Sequence, residues 1–181
     1  MAIENSLDLM LALLYSPGAS GKEGETIKGF TRVQKLFFLL WKEGNFDKYV
    51  SELKEFEAYN YGPFSNSLYD DIEFARSIGL IKVTKVKPEL QLENVDEIEV
   101  TQDELDFKEI DPSNIKTRED YDLTEKRGIE IAKEIWKEIS PEDRIKIRRI
   151  KTIYNQMPFM KLIRYVYSKY PDYAKKSLLV L

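Results

Sequence analysis

Residues 59–80 constrain the fold of this chain more than any other stretch, because several local structure signals follow one another there. Gly62-Pro63 is typical of a tight turn, Ser65 stands where a helix N-cap belongs, and Gly79 fits the left-handed position that ends a helix. The apolar residues between these signals recur at helical spacing and are Leu68, Ile72, Ala75 and Ile78. The stretch therefore predicts a strand end, a turn, a capped helix and the start of another strand.

Helical periodicity predicts further helices on both sides of this stretch. The predicted helices are Leu7 to Tyr15, Arg32 to Glu43 with Thr31 as its cap, one after Thr124, Ser140 to about Asn155, Phe159 to Lys169, and Asp172 to Leu179. Residues 16–30 are rich in glycine and indicate a surface loop. Alternating apolar and polar residues predict a strand at Leu80 to Lys87, with Ile98 to Thr101 as a possible partner and a short strand around Tyr121.

These elements predict an α+β, mostly helical fold, with a winged-helix-like core, a small antiparallel β-sheet and a C-terminal helical layer. A chain of 181 residues is long enough to bury one sizeable core. We therefore expect a single domain over residues 1–181, with the winged-helix-like core at about 31–139 and the C-terminal helices at 140–181.

The composition argues against most catalytic and metal sites. The chain contains no cysteine and no histidine, which removes thiolate chemistry and the commonest general base and metal ligand at neutral pH. Asp70, Asp71 and Glu73 could bind Mg²⁺ in principle, but Asp70 and Asp71 are adjacent on a helix and so diverge. We expect a non-enzymatic protein without cofactor or metal. The high content of Lys, Glu and Ile resembles the composition of many thermophile proteins.

Charge is distributed very unevenly along the chain. Residues 88–125 contain fourteen acidic and three basic residues, whereas residues 141–181 contain ten basic and three acidic ones. A basic segment interleaved with tyrosines could contact phosphates and stack on bases. The same cations could instead solvate a helix or pair with the acidic segment. The candidate DNA contacts are Lys82, Lys85 and Lys87 of the predicted wing, and Arg144, Lys146, Arg148, Arg149 and Lys151 of the basic segment.

The helix within residues 65–78 is a poor match for DNA. Its polar positions include three carboxylates, Asp70, Asp71 and Glu73, which phosphates would repel. Such a helix suits a protein partner better. The candidate protein-binding residues are Phe64, Asn66, Tyr69 and Arg76.

Two resemblances to known families are carried by short motifs. Gly79-Leu80-Ile81, followed by Tyr121-Asp122-Leu123-Thr124, resembles the wing and the following helix of MarR- and PadR-type winged-helix regulators. Three segments in order resemble the YwgA-like uncharacterised proteins, which are related to the Panacea (SocA-like antitoxin) group. Those segments are Thr31 to Phe38, Tyr61 to Asp71, and Tyr167 to Ser177. This resemblance implies a winged-helix-like domain and, in the antitoxin branch, a toxin partner; it implies no catalytic residues.

Two functional hypotheses follow. The first is a winged-helix-like transcriptional regulator that binds DNA through its wing and basic segment. The second is an antitoxin-like module that binds a partner protein through the 65–78 helix. In both cases we expect a cytoplasmic protein that does not enter a membrane, and a homodimer is possible.

Overall fold

The computed structural model describes residues 3–86 and 118–179. Three sequence predictions fall outside these ranges, wholly or nearly so. They are the wing contact Lys87, the strand at Ile98 to Thr101, and the charged insertion at 102–118, of which only Arg118 is described.

The described residues form six α-helices and five short strands, and this confirms the mostly helical α+β class. The helices are α1 (Ser6–Tyr15), α2 (Phe30–Lys42), α3 (Asn66–Ser77), α4 (Arg127–Glu138), α5 (Pro141–Tyr154) and α6 (Phe159–Lys169). The strands are β1 (Ile27–Lys28), β2 (Glu57–Tyr59), β3 (Gly62–Phe64), β4 (Ile81–Val86) and β5 (Arg118–Leu123). Short 3₁₀ helices occupy Phe46–Lys48, Ser51–Glu55 and Pro171–Ala174.

The strands form two antiparallel sheets. Three strands pair in the order β1-β5-β4, with Ile81 opposite Leu123 at one end of the β4–β5 pair and Val86 opposite Arg118 at the other. Strands β2 and β3 form a separate hairpin around the Gly62-Pro63 turn. In chain order the three-stranded sheet therefore receives one strand after α1 and two after α3.

The core begins earlier in the sequence than expected. Helix α1 is apolar nearly all round and is buried against α3, α4 and α5, while β1 completes the three-stranded sheet. The buried core thus includes residues of α1 and β1, which come before residue 31. Residues 16–30 are not a loop throughout, because Ile27 and Lys28 pair with Tyr121 and Asp120 of β5.

Local capping signals predicted some helix ends correctly and others wrongly. Ser65 caps α3 by accepting from the Leu68 amide, and Gly79 follows that helix with a φ of 72°. Thr31, by contrast, lies inside α2, which begins at Phe30 after Gly29. The reason is tertiary, since the Gly29 amide donates to the carbonyl of Glu119 beside the sheet. The predicted last helix at Asp172 to Leu179 is only the 3₁₀ turn Pro171–Ala174.

Candidate nucleic-acid interface

A basic cleft opens between the end of α2, the outer side of α5, and the end of α6. It is open to solvent on one side and has a volume of about 310 Å³. Its lining combines four cationic side chains with aromatic and aliphatic ones, and comprises Lys42, Glu43, Lys146, Arg149, Ile150, Ile153, Tyr154, Lys169 and Tyr170. Two of the predicted DNA contacts, Lys146 and Arg149, therefore lie in a concave surface together with two cations that the sequence did not single out.

Glu43 organises the floor of this basic cleft. Its carboxylate accepts hydrogen bonds from Tyr154 Oη (2.8 Å), Tyr165 Oη (2.5 Å) and Lys169 Nζ (2.8 Å). Burial alone would raise the pKa of Glu43, but hydrogen bonds from Lys169, Tyr165 and Tyr154 outweigh it and hold that pKa below its ordinary value. The carboxylate is thus ionised and fully engaged, and it locks α2 to α5 and α6.

The cations around the cleft differ in how far they are already paired. Lys146 bonds Glu142 at 2.7 Å and approaches Asp143 at 3.4 Å, and Lys169 is held by Glu43. Lys42 lies 3.5 Å from the centre of the Trp41 ring in a cation–π contact, and it forms no direct ion pair within the described residues, although the Asp47 carboxylate attracts it from a distance. Within the described ranges, Arg149 is exposed and makes no ion pair. Lys42 and Arg149 are therefore the cations most available to an anionic ligand.

The remaining cations predicted on α5 point in different directions. Arg148 is exposed, like Arg149. Arg144 is half-buried, and its Nε atom is enclosed without a hydrogen-bond partner among the described residues. Helix α5 therefore presents Arg148 and Arg149 to solvent and turns Arg144 partly inward.

Lys151 does not belong to any interface, and its prediction as a DNA contact is wrong. Its side chain is 0% exposed, and its Nζ donates to the carbonyl oxygens of Leu14 and Ser16, each at 2.8 Å. Burial lowers the pKa of Lys151 to about 7. The ammonium group thus serves the carbonyl end of α1, where backbone acceptors lack partners within the helix.

The predicted wing carries less positive charge than its lysines suggested. Lys82 and Lys85 are exposed on β4, but Lys82 lies opposite Asp122 and Lys85 opposite Glu119 on β5. Opposite charges at directly paired positions attract each other and lower the positive potential offered to a phosphate. Beside the wing, α3 adds the carboxylates noted above, so this side of the molecule is poorly suited to DNA.

Of the four residues predicted to bind a protein partner, two are on the surface and two are engaged inside. Asn66 and Arg76 are exposed, and Arg76 approaches Glu73 at 3.7 Å. Phe64 is only 7% exposed and packs against Phe30 and Tyr59, which contradicts its assignment as a surface contact. Tyr69 is half-buried with its ring edge-on to Phe30.

Phe74 is the residue on α3 that the sequence reading missed. Its side chain is 53% exposed, next to Asp70 and Glu73 on the solvent side of the helix. A signal was available, because Phe74 falls outside the buried stripe of Leu68, Ile72 and Ala75. A large aromatic residue on the polar side of an amphipathic helix is an informative departure from the pattern.

The three segments that carry the YwgA-like resemblance converge in space. The Gln34 side chain bonds both the amide and the carbonyl of Ser65, and Lys35 Nζ donates to the Pro63 carbonyl at 3.0 Å. Tyr167 packs against Gly62 and bonds Ser177 through its hydroxyl at 2.7 Å. The motif residues therefore have a structural role, because their contacts join α2, the β2–β3 hairpin and the C-terminal segment (residues 167–177).

The described residues contain neither a membrane-spanning helix nor a cluster of metal ligands. Across residues 3–86 and 118–179, no helix has the length and apolar character needed to cross a bilayer. The same residues contain no group of three or more acidic side chains placed to hold a metal ion.

No protein-family model, no curated protein and no solved structure matches the chain significantly.

Proposed function

We propose that this chain is a non-enzymatic, winged-helix-like regulator that binds DNA through the basic cleft and the adjoining face of α5. The observation that carries the proposal is the position of Lys42 and Arg149, which form no ion pair within the described residues, in one concave surface that also contains the paired Lys146 and Lys169 and the Tyr170 ring. Phosphate contacts supply most of the affinity of DNA-binding proteins, and aromatic side chains can stack on bases.

The order of the elements supports the winged-helix-like part of this proposal. Along the chain, α1, β1, α2 and α3 precede the antiparallel pair β4–β5, and β1 pairs with β5. A winged helix has this succession, with the last two strands flanking its wing. The β2–β3 hairpin is then an addition between α2 and α3.

The surface charges favour the basic cleft over α3 as the DNA contact. In many DNA-binding folds the helix before the wing enters the major groove with Arg, Lys, Asn or Gln near its start. Here that helix exposes Asp70 and Glu73, and β5 places Asp122 and Glu119 opposite the wing lysines. We therefore keep the hypothesis of a DNA-binding regulator but assign its DNA contact to the basic cleft instead of the wing.

Fluorescence anisotropy with labelled duplex and single-stranded DNA over a range of salt concentrations tests this proposal. We expect Lys42→Gln with Arg149→Gln to lower the affinity at least about tenfold, and to reduce the salt slope by about 2 because two phosphate contacts are lost. The matched control is Lys82→Gln with Lys85→Gln, which removes the same charge from the wing and should change the affinity less than about threefold. No binding by the wild-type protein at low salt would overturn the proposal.

A second candidate function rests on Phe74. An aromatic side chain that is 53% exposed and flanked by carboxylates is suited to a protein partner with an apolar pocket and basic rim. This supports the antitoxin-like alternative, with Phe74, Asn66 and Arg76 as contacts in place of the buried Phe64.

Co-purification with the products of neighbouring genes tests this alternative. Phe74→Ala should abolish capture of a bound partner while leaving the thermal unfolding midpoint nearly unchanged, because the ring is mostly in solvent. Phe64→Ala is unsuitable as a probe, since loss of this buried ring would destabilise the fold. A partner retained equally by wild type and Phe74→Ala would contradict a contact through α3.

A further inference from the structure

The basic cleft is concave, and its shape limits which form of DNA it can hold. Its volume of about 310 Å³ lies at the small end of the range of about 300–1,000 Å³ that pockets for small organic ligands occupy. A protein reads a duplex by placing a protruding helix or strand pair in a groove about 12 Å wide. A concave surface cannot enter a groove, and it holds only a group that projects from the nucleic acid. An unpaired base is such a group, because it can turn out of the strand.

The lining of the cleft offers two kinds of surface that match the two parts of a nucleotide. Lys42 and Arg149 supply positive charge, and neither forms an ion pair within the described residues. Ile150, Ile153 and Tyr170 supply apolar surface. The Ile153 side chain is 42% exposed, so much of its apolar area is open to a ligand. A nucleotide joins an anionic phosphate to a flat base with apolar faces, and one such unit matches both surfaces.

The Tyr170 ring is held in place before any ligand binds. Its centre lies 5.1 Å from that of Phe38, and the two ring planes meet at 89°. Its hydroxyl lies 3.4 Å from Glu43 Oε1, and Lys169 Nζ lies 5.7 Å from the ring centre. A ring fixed by its neighbours loses little conformational freedom when a base packs against it. Contact between a base and an aromatic ring also tolerates any sequence, since every base has such a face.

The charges in the cleft favour an anion. Burial lowers the pKa of Lys42, because its ammonium group is partly removed from water, and less hydration remains to be lost when a phosphate approaches. Glu43 is the one carboxylate among the described residues that line the cleft. Its ion pair with Lys169 and the hydrogen bonds from two tyrosines weaken the repulsion that it exerts on a phosphate. Lys42 and Arg149 therefore determine the sign of the charge that a ligand meets.

We propose that the basic cleft receives one unpaired nucleotide of a single strand, with its base against Ile153 and Tyr170 and a neighbouring phosphate at Lys42 and Arg149. Recognition of an unpaired nucleotide rests on the DNA binding proposed above and specifies the form of DNA that the cleft takes. A duplex must break a base pair before a base can enter, whereas a single strand or an overhang need not. The protein therefore binds an unpaired end more tightly than a blunt duplex.

Fluorescence anisotropy with the full chain and three labelled DNAs at constant salt tests this preference. The DNAs are a blunt duplex, the same duplex with a few unpaired nucleotides at one end, and that overhang with its bases replaced by abasic sites. We expect the overhang DNA to bind at least about tenfold more tightly than the blunt duplex, and at least about fivefold more tightly than the abasic overhang. The abasic overhang is the matched control, since it keeps every phosphate and lacks only the bases.

Unlabelled deoxyadenosine monophosphate distinguishes a strand from a free nucleotide as the source of the base. It should displace the overhang DNA only at concentrations at least about tenfold higher than the unlabelled overhang needs, because it carries a single phosphate. Displacement at equal or lower concentrations would overturn the assignment to a strand and identify the cleft as a site for free nucleotides.

Ile153→Ala should lower the affinity for overhang DNA about fivefold and leave that for the abasic overhang within about twofold, because Ile153 contacts the base and not the phosphate. Its unfolding midpoint should stay near that of the wild type, since the side chain is partly in solvent and alanine favours a helix. Ile145→Ala is the matched control on the same helix. Ile145 is 66% exposed and does not line the cleft, so this variant should bind like the wild type.

The outcomes separate this inference from the proposed function. Equal affinity for blunt and overhang DNA would overturn the unpaired nucleotide, while the proposed function would stand if Lys42→Gln with Arg149→Gln still weakened binding. Equal affinity for normal and abasic overhangs, or equal loss in the two isoleucine variants, would show that no base enters the cleft. Absence of binding to every DNA would overturn both.

Discussion

Lys151 shows that burial decides which groups a charged side chain can contact. In the sequence it is one of several lysines and arginines on a basic helix, and it was predicted to contact DNA. In the structure it lies under α1, and its ammonium group bonds the carbonyls of Leu14 and Ser16. The carboxylates of Glu25 and Asp122 attract this cation from a distance but do not offset the cost of its burial, so its protonation should affect stability.

The first prediction is that Lys151→Met flattens the pH dependence of stability. The pKa is about 7 when folded and 10.5 when unfolded, so the unfolded chain binds more protons between these values. The free energy of unfolding should therefore rise with pH, by up to about 1.4 kcal/mol per pH unit for this group. Urea denaturation at several pH values from about 7.5 to 9.5 measures the slope.

In Lys151→Met that slope should be smaller, though not zero, because burial also lowers the pKa of Lys42. The variant should also be less stable at the upper end of the range, since two carbonyl oxygens lose a donor. The control variant Lys161→Met makes the same substitution at an exposed lysine, and its stability should depend on pH as steeply as that of the wild type. Identical slopes for all three proteins would show that Lys151 does not titrate in this range.

Glu25 should control stability at the acidic end of the pH range. Burial alone would raise the pKa of Glu25, but hydrogen bonds from Ser20, Asn155 and Gln156 outweigh it and lower that pKa to about 2. The stabilisation from the ionised carboxylate is present above the unfolded pKa of 4.5 and is lost as the pH falls toward 2. Between pH 4.5 and about pH 2, the thermal unfolding midpoint of Glu25→Gln should therefore fall less than that of the wild type.

At the scale of elements, α3 was predictable because its signals are local. Ser65, the apolar stripe and Gly79 act within one or two turns of the helix, and all three behave as expected. The start of α2 and the two-residue strand β1 were not predictable, because each depends on pairing with β5, about ninety residues away. The helical spacing showed which cations lie on α5, but not which of them face the core.

Gly62 and Gly79 form a matched pair for testing the junction of the motifs. Both have a positive φ, 91° and 72°. A Cβ at Gly79 would meet nothing within 4 Å, whereas a Cβ at Gly62 would lie 2.7 Å from Tyr167 Cε1. Gly79→Ala should cost about 1 kcal/mol for its backbone conformation, and Gly62→Ala about 3 kcal/mol because the Tyr167 ring must also move.

Chemical denaturation of the two glycine variants gives this difference directly. The double variant Gly62→Ala with Tyr167→Ala should recover part of the loss, because the clashing ring is gone. Equal destabilisation by the two single variants would mean that the contact between Gly62 and Tyr167 contributes nothing beyond backbone strain.

At the scale of the whole molecule, the C-terminal segment closes the fold. The Tyr173 ring centre lies 4.7 Å from that of Phe38, and the Leu178 amide donates to the Asn60 carbonyl at 2.8 Å. Tyr173→Ala should lower the free energy of unfolding by about 2 kcal/mol, since it uncovers Phe38. Leu178→Ala, at a side chain 58% exposed, should change it by less than about 0.5 kcal/mol and serves as the control.

The contact between Leu178 and Asn60 can form only late in the synthesis of the chain. A ribosome adds roughly 5–20 residues per second, so the chain waits about 6 to 24 s between making Asn60 and making its partner. During that interval the aromatic face around Phe38 has no cover from Tyr170 and Tyr173. The nascent protein is therefore open to aggregation, and accessible to a chaperone, at this surface until its late residues cover it.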